Sequence, residues 1–253
     1  MNRCLAALAL TGGIAATGAL AAEPAPDPAA IVARMEQTMR GDASYAEMTM
    51  RIVRPRFERE ISLRAWQLGR NRSLIRVTAP ARDQGTAFLL RDKNVWTYDP
   101  RIERTTRLPS SMMAQPWMGS DFSNDDLVRD TDTVEDYTHE LLRTEPMGDR
   151  TVHVVRMVPK PDRPIVWGQV KMWICAKDSL QLRVENFDQR NRLVNTMVLD
   201  RIVRFGDREL PSRITVTPED KENEQTVLLY DKLDFDIELD DTFFTQRNMR
   251  RAS

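Results

Sequence analysis

The sequence predicts a mainly β protein: a long antiparallel meander, preceded by one amphipathic helix and interrupted once by an apolar loop. Three observations carry this. Apolar residues alternate with polar ones at a period of two over most of the chain. Short turn signals separate these runs, with no helical pattern between them. One segment before the first run repeats at helical spacing instead.

The 253 residues begin with a targeting pattern. Arg3 supplies a positive charge, residues 4–20 are mostly Ala, Leu, Gly and Ile, and Ala19-Leu20-Ala21 fits a cleavage site. Residues 1–22 are expected to be a signal peptide, cut near Ala21 or Ala22, leaving 23–253 as one exported domain. Cys4 lies too early to be an acylated lipoprotein cysteine. The 37 basic residues less Arg3 leave 36 against 38 acidic ones, a net of −2. That balance argues against nucleic acid as a partner, which favours a clear basic excess. Of the 2 cysteines only Cys175 would remain, so no internal disulfide is expected. It ends an apolar run, Val170 to Ile174, with no cation nearer in sequence than Lys177, and reads as a buried inert thiol.

After a Pro/Ala leader at 23–28, Asp27 can cap a helix with Pro28 at its first position. Ile31, Met35 and Met39 recur on one face, and Gly41 ends it. Ala46, Met48, Met50 and Ile52 then alternate with Glu47, Thr49 and Arg51. Arg54-Pro55-Arg56 turns the chain; Ile61, Leu63 and Ala65 form the next apolar face. Strands follow at 74–77, 86–90, 95–99 and 102–108, the last two as a hairpin about Asp99-Pro100. In the second half, segments 137–143, 152–158, 166–174, 180–187, 193–203, 213–217 and 226–230 read as strands. Trp167 and Trp173 are expected on one face of the third of these, opposite Val166, Val170, Met172 and Ile174. The stretch from 239 to 249 reads as a packed turn anchored by Phe243 and Phe244.

The pattern fails at Pro109-Ser110-Ser111. Met112, Met113, Trp117, Met118 and Phe122 follow at spacings too irregular for a strand. Such a loop either plugs a core or closes over something apolar. Ser123 can cap a short helix after it, with Asp126 three residues on as its capping-box partner.

Residues 47–55 (EMTMRIVRP), 76–100 (RVTAPARDQGTAFLLRDKNVWTYDP), 109–127 (PSSMMAQPWMGSDFSNDDL) and 239–251 (LDDTFFTQRNMRR), with the signal and single helix, resemble the LolA/LolB lipoprotein-carrier superfamily. The branch they resemble most comprises the outer membrane lipoprotein-sorting proteins, including a treponemal lipoprotein. The resemblance implies a large, twisted, antiparallel, unclosed β-barrel of about eleven strands. It also implies helices over the concave apolar face, and acyl-chain binding in the periplasm. No latch arginine could be placed by motif.

Under that resemblance, Met48, Met50, Ile52, Ile61, Leu63, Phe88, Leu90 and Trp96 would line an apolar trough. Ile31, Met35 and Met39 of the helix, and Met112, Met113, Trp117, Met118 and Phe122 of the loop, would be its lid. The expected activity is that of a soluble carrier for acyl chains of lipoproteins or lipids. Its partners would be an inner-membrane transporter and an outer-membrane acceptor, with transient membrane contact and a monomeric state. The alternative within the superfamily is an RseB-like sensor or scaffold, which binds lipid or a partner protein without shuttling it.

Catalytic patterns are missing from the sequence. His139 and His153 lack neighbours at ligand spacing, and Ser110-Ser111 lacks a nucleophile-elbow frame. No glycine-rich phosphate loop occurs. Asp121, Asp125, Asp126, Asp130 and Asp132 do not match a calcium loop and read as helix-end charge and solvated loop. No enzyme activity, cofactor or metal is expected.

Overall fold

A computed structural model describes residues 26–92, 94–127, 132–163 and 165–251. The expected signal peptide, most of the leader and Asp130 lie outside the described residues.

Helix α1 (Pro28–Arg40) forms where the periodicity placed it. The Asp27 carboxylate accepts a hydrogen bond from the Ala29 N–H at 3.0 Å, satisfying one of the orphan donors of the first turn. Gly41 ends the helix at φ 69°, and a Cβ there would lie 2.8 Å from the Phe235 ring. Only glycine meets both demands without strain.

Thirteen strands form one antiparallel sheet. They are β1 (Ala43–Arg54), β2 (Phe57–Leu68), β3 (Arg72–Ala79), β4 (Ala87–Arg91), β5 (Asn94–Asp99) and β6 (Arg104–Arg107), then β7 (Tyr137–Met147), β8 (Arg150–Pro159), β9 (Gln169–Cys175), β10 (Gln181–Phe187), β11 (Leu193–Phe205), β12 (Arg208–Pro218) and β13 (Gln225–Phe235). Each alternating segment of the sequence is one of these strands. The resemblance undercounted them at about eleven. Their order is β6-β5-β4-β3-β2-β1-β13-β12-β11-β10-β9-β8-β7, and the sheet does not close. Two meanders therefore meet at β1 and β13, where Met50 pairs with Leu228 and Met48 with Tyr230.

This order has a consequence for the loop. The edges β6 and β7 are consecutive in sequence but lie at opposite ends of the sheet. The chain must therefore cross the open side between them, and the apolar segment after residue 108 begins that crossing.

Register fixes which side chains face inward. Met50 lies opposite Ile61, Met48 opposite Leu63, and Ile75 opposite Phe88. These join Val32, Met35, Trp117 and Phe122 in the main core. The outer face of β2–β5 is also covered: Phe244 and Met249, both fully buried, pack on Leu74, Ala87 and Leu89. Phe243 and Phe244 thus anchor the C-terminal segment as expected, ending in the short helix α3 (Gln246–Met249).

One strand departs from its expected alternation. β9 begins at Gln169, so Trp167 precedes it and packs in the main core with Val170 and Met172, while Trp173 faces the other way. Gly168 sets this: its N–H bonds the Phe187 carbonyl at 2.9 Å, and a Cβ there would collide with the Asp188 carbonyl.

Candidate functional site

The inner face holds a cavity of about 340 Å³, roofed by α1 and by the loop. That volume lies at the lower end of ordinary ligand sites, roughly 300–1,000 Å³. Met48 and Met50 of β1, Leu63 of β2 and Leu90 of β4 line it, as do Met35 and Met39 of α1 and Trp117 and Phe122 of the loop. Ile52, Ile61 and Phe88 belong to the surrounding core, as does Ile31 of α1.

Trp96 is a correction. It lies opposite Leu89 and packs on the outer cluster with Phe244, so it is not a trough residue. Alternation had placed Trp96 and Tyr98 on one face correctly; that face is the outer one. Met113 packs on Leu90 and Val95, and Met118 on the main core. Met112 is half-buried and lies outside the buried clusters.

The second meander supplies lining that sequence reasoning missed: Met197 and Leu199 of β11, and Leu228, Tyr230 and Leu233 of β13. Their alternation was visible, but only the β1–β13 pairing shows that their apolar face continues that of Met48 and Met50.

The loop is built from short turns. Residues Ser110–Met112 and Trp117–Gly119 are single 3₁₀ turns, and α2 (Asn124–Leu127) follows. Its capping box forms as expected: the Ser123 N–H donates to Asp126 Oδ2 at 2.8 Å, and the Asp126 N–H donates to Ser123 Oγ at 3.1 Å. The Asn124 amide donates to the Met112 and Gln115 carbonyls, tying the two halves together. Trp117, only 2 % exposed, inserts toward the sheet and meets Phe88 edge-on at 5.2 Å. Phe122 lies beside it in the same core.

Two arginines hold this loop down. Arg54, at the end of β1, forms a bidentate pair with Asp121: Nη1 to Oδ2 at 3.0 Å and Nη2 to Oδ1 at 3.1 Å. Arg54 Nη2 also donates to the Gly119 carbonyl at 3.0 Å, and Arg59 Nη1 donates to the Met118 carbonyl at 3.2 Å. Thr226 of β13 donates its hydroxyl to Asp121 and accepts the Asp121 N–H. The loop tip needs such support. Met118 and Gly119 have φ of 50° and 79°, and a left-handed non-glycine residue costs on the order of 1–2 kcal/mol. Asp121 is thus a correction: its side chain is 3 % exposed and paired, rather than solvated.

Other expected residues fall elsewhere. His139 bonds the Thr133 carbonyl and His153 the Thr144 hydroxyl, both away from the cavity. Among the described residues no group of three metal-ligating side chains occurs. Cys175 is buried, but a cation is closer than the sequence implied: Arg150 Nη1 of β8 lies 3.7 Å from its Sγ, brought by the pairing of β8 with β9.

An open antiparallel sheet with one helix and a crossing loop over its apolar concave side is the LolA-like architecture. A LolA superfamily protein from Nitrosomonas europaea aligns with a TM-score of 0.77 and 22 % identity over 88 % of this chain and 99 % of its own. A protein described as an outer membrane lipoprotein-sorting protein domain, from Vibrio parahaemolyticus, aligns at 0.79 and 22 % over 88 % and 98 %. A DUF1329 family protein from Desulfovibrio piger aligns at 0.81 and 24 % over 88 % and 100 %. Residues 69–251 match the model of a family described as "-like: Uncharacterized protein", and the chain belongs to that family. No curated protein matches the chain.

Proposed function

We propose that this protein is a soluble periplasmic carrier that holds an acyl chain in the cavity beneath the loop and delivers it toward the outer membrane. The observation that carries the reading is the combination of a cavity with an apolar floor of Met48, Met50, Leu63 and Leu228 and a roof clasped by two side chains, Arg54 and Asp121. An acyl chain in water costs about 0.8 kcal/mol per CH₂, so a long chain needs a comparable apolar site during transit. It also needs a way out. A roof clasped mainly by side chains at its tip can open without unpairing the sheet. Methionines at Met35, Met39, Met48, Met50 and Met197 suit a varying load, because thioethers repack at low cost.

On this reading Trp117 and Phe122 are the parts of the lid that fill the trough when no cargo is present. The protein acts by binding and release, with no covalent step. An inner-membrane transporter would load it and an outer-membrane acceptor would unload it, with the carrier monomeric between them. The test is mass spectrometry of molecules extracted from natively purified, exported protein. Stoichiometric acylated molecules are expected. Ligand-free protein that also takes up no lipid from vesicles would contradict the carrier reading.

A further inference from the structure

The cavity has two unlike ends. At the loop end it is closed by Trp117 and Phe122. At the other end three neighbouring strands each turn a polar residue inward: Ser44, Gln67 and Ser73, which lie opposite one another in register. Polarity falls away along each strand, through Ala46 and Met48 to Met50 on β1, through Ala65 to Leu63 on β2, and at Ile75 on β3. From Ser44 to Met50 the strand rises about 20 Å.

Charge gathers at the polar end. Arg40 stands in the last turn of α1 and Arg70 in the turn between β2 and β3, and both line the cavity. Glu36 lies between them, 3.6 Å from Arg40 and 3.9 Å from Arg70. Its Oε1 accepts from Thr133, but its buried Oε2 has no hydrogen bond. Nearby, Arg208 stacks over Phe235 at 4.3 Å, and its buried Nη1 has no hydrogen bond either. Two guanidiniums, those of Arg40 and Arg70, thus flank one buried carboxylate at the cavity wall. Arg70 also pairs with Asp132 at 2.5 Å and Arg208 with Asp236 at 3.7 Å, carboxylates that are 34 % and 67 % exposed. Glu36 Oε2 and Arg208 Nη1 thus have charged neighbours but no hydrogen bond, and buried polar atoms lacking one are unfavourable, so this end can accept further polar partners.

We infer that the polar end is a headgroup site, and that the cavity takes a single-chain amphiphile with a small anionic head. The head, a carboxylate or phosphate, sits among Arg40, Arg70, Ser44 and Gln67, and the tail runs up β1 to Trp117. This deepens the carrier reading and rests on it.

The test is displacement of a fluorescent naphthylamine probe by palmitate, hexadecyl phosphate and methyl palmitate, on wild type and on Arg70→Gln and Arg40→Gln. One lost charge-assisted hydrogen bond is worth about tenfold or more. Wild type should therefore bind at least one of the two anions about tenfold or more tighter than the ester, and which anion is preferred separates carboxylate from phosphate heads. In the variants that advantage should shrink several-fold. The wild-type comparison needs no variant to fold. Equal binding of both anions and ester by wild type overturns the headgroup site while leaving the carrier reading intact. So does a variant of unchanged melting temperature that keeps the full preference. Failure of all three to displace the probe overturns both.

Discussion

Arg54 and Asp121 lie 67 positions apart in the sequence, yet their side chains form a bidentate ion pair, 11 % and 3 % exposed, between the end of β1 and the loop. Arg54 also meets Glu224 at 3.2 Å, so the clasp links loop, β1 and the approach to β13. The pair stands between the cavity roof and its wall, and its removal should be felt first by the roof.

Asp121→Asn keeps the shape and removes the charge. Breaking one partner of a buried pair costs about 3–5 kcal/mol, and because Arg54 keeps Glu224 at 3.2 Å the cost here should lie at the lower end of that range. If that cost falls on loop closure, amide hydrogen exchange in the loop should accelerate about 100-fold, while strands β1 and β13 keep their protection. Equal acceleration in loop and strands would mean that the pair holds the sheet, and the roof would not be a separate unit.

Trp117→Ala should cost about 3–5 kcal/mol by cavity formation. The sheet supplies its own backbone pairing, so far-UV circular dichroism should be preserved. Acyl-probe affinity should change by at least tenfold, because the residue that meets Phe88 at the closed end is gone. Unchanged affinity with a large fall in melting temperature would mark Trp117 as ordinary core.

Much of this arrangement was legible in the sequence, and the reasons for the rest are specific. Met48, Met50 and Ile52 could be assigned to one face because Glu47, Thr49 and Arg51 alternate with them. The same rule could not say which face of β5 is inner: Trp96 needed its pairing with Leu89 and the packing of Phe244 on that side. Leu228 and Tyr230 could not be joined to the trough, because the β1–β13 pairing brings together the two ends of the chain without a hairpin to announce it. Arg54 read as a turn residue and Asp121 as a solvated acid, since charge pairing across such a separation leaves no local pattern. The capping box at Ser123 and Asp126 was readable because its partners are three residues apart.

Cys175, 2 % exposed, should react slowly with thiol reagents in the native protein and stoichiometrically once unfolded. The nearby Arg150 does not change this, because it also pairs with Asp178 at 2.5 Å and access still requires the β8–β10 corner to open. Labelling of folded protein at the rate of an exposed thiol would contradict the burial.

His153 gives a pH dependence. Burial, with a smaller contribution from Arg34, holds its imidazole below the ordinary 6.5. The unfolded chain then takes the proton more readily than the folded one. The stability conferred by neutral His153 is fully present above about pH 6.5 and declines as the pH falls through the folded value. Melting temperature should fall from about pH 6.5 downward, and His153→Gln should flatten that decline. An identical slope in the variant would assign the dependence to other groups.

The most direct test of the trough uses the methionines as reporters, with ¹³C-methyl NMR and a spin-labelled fatty acid. Met48, Met50 and Met197 line the cavity, whereas Met249 is buried on the outer face. The account predicts strong broadening of Met48, Met50 and Met197 on addition of the fatty acid, with Met249 unchanged. Broadening of Met249 as strong as theirs, or no broadening at any of the three, would contradict an acyl-binding site inside the sheet.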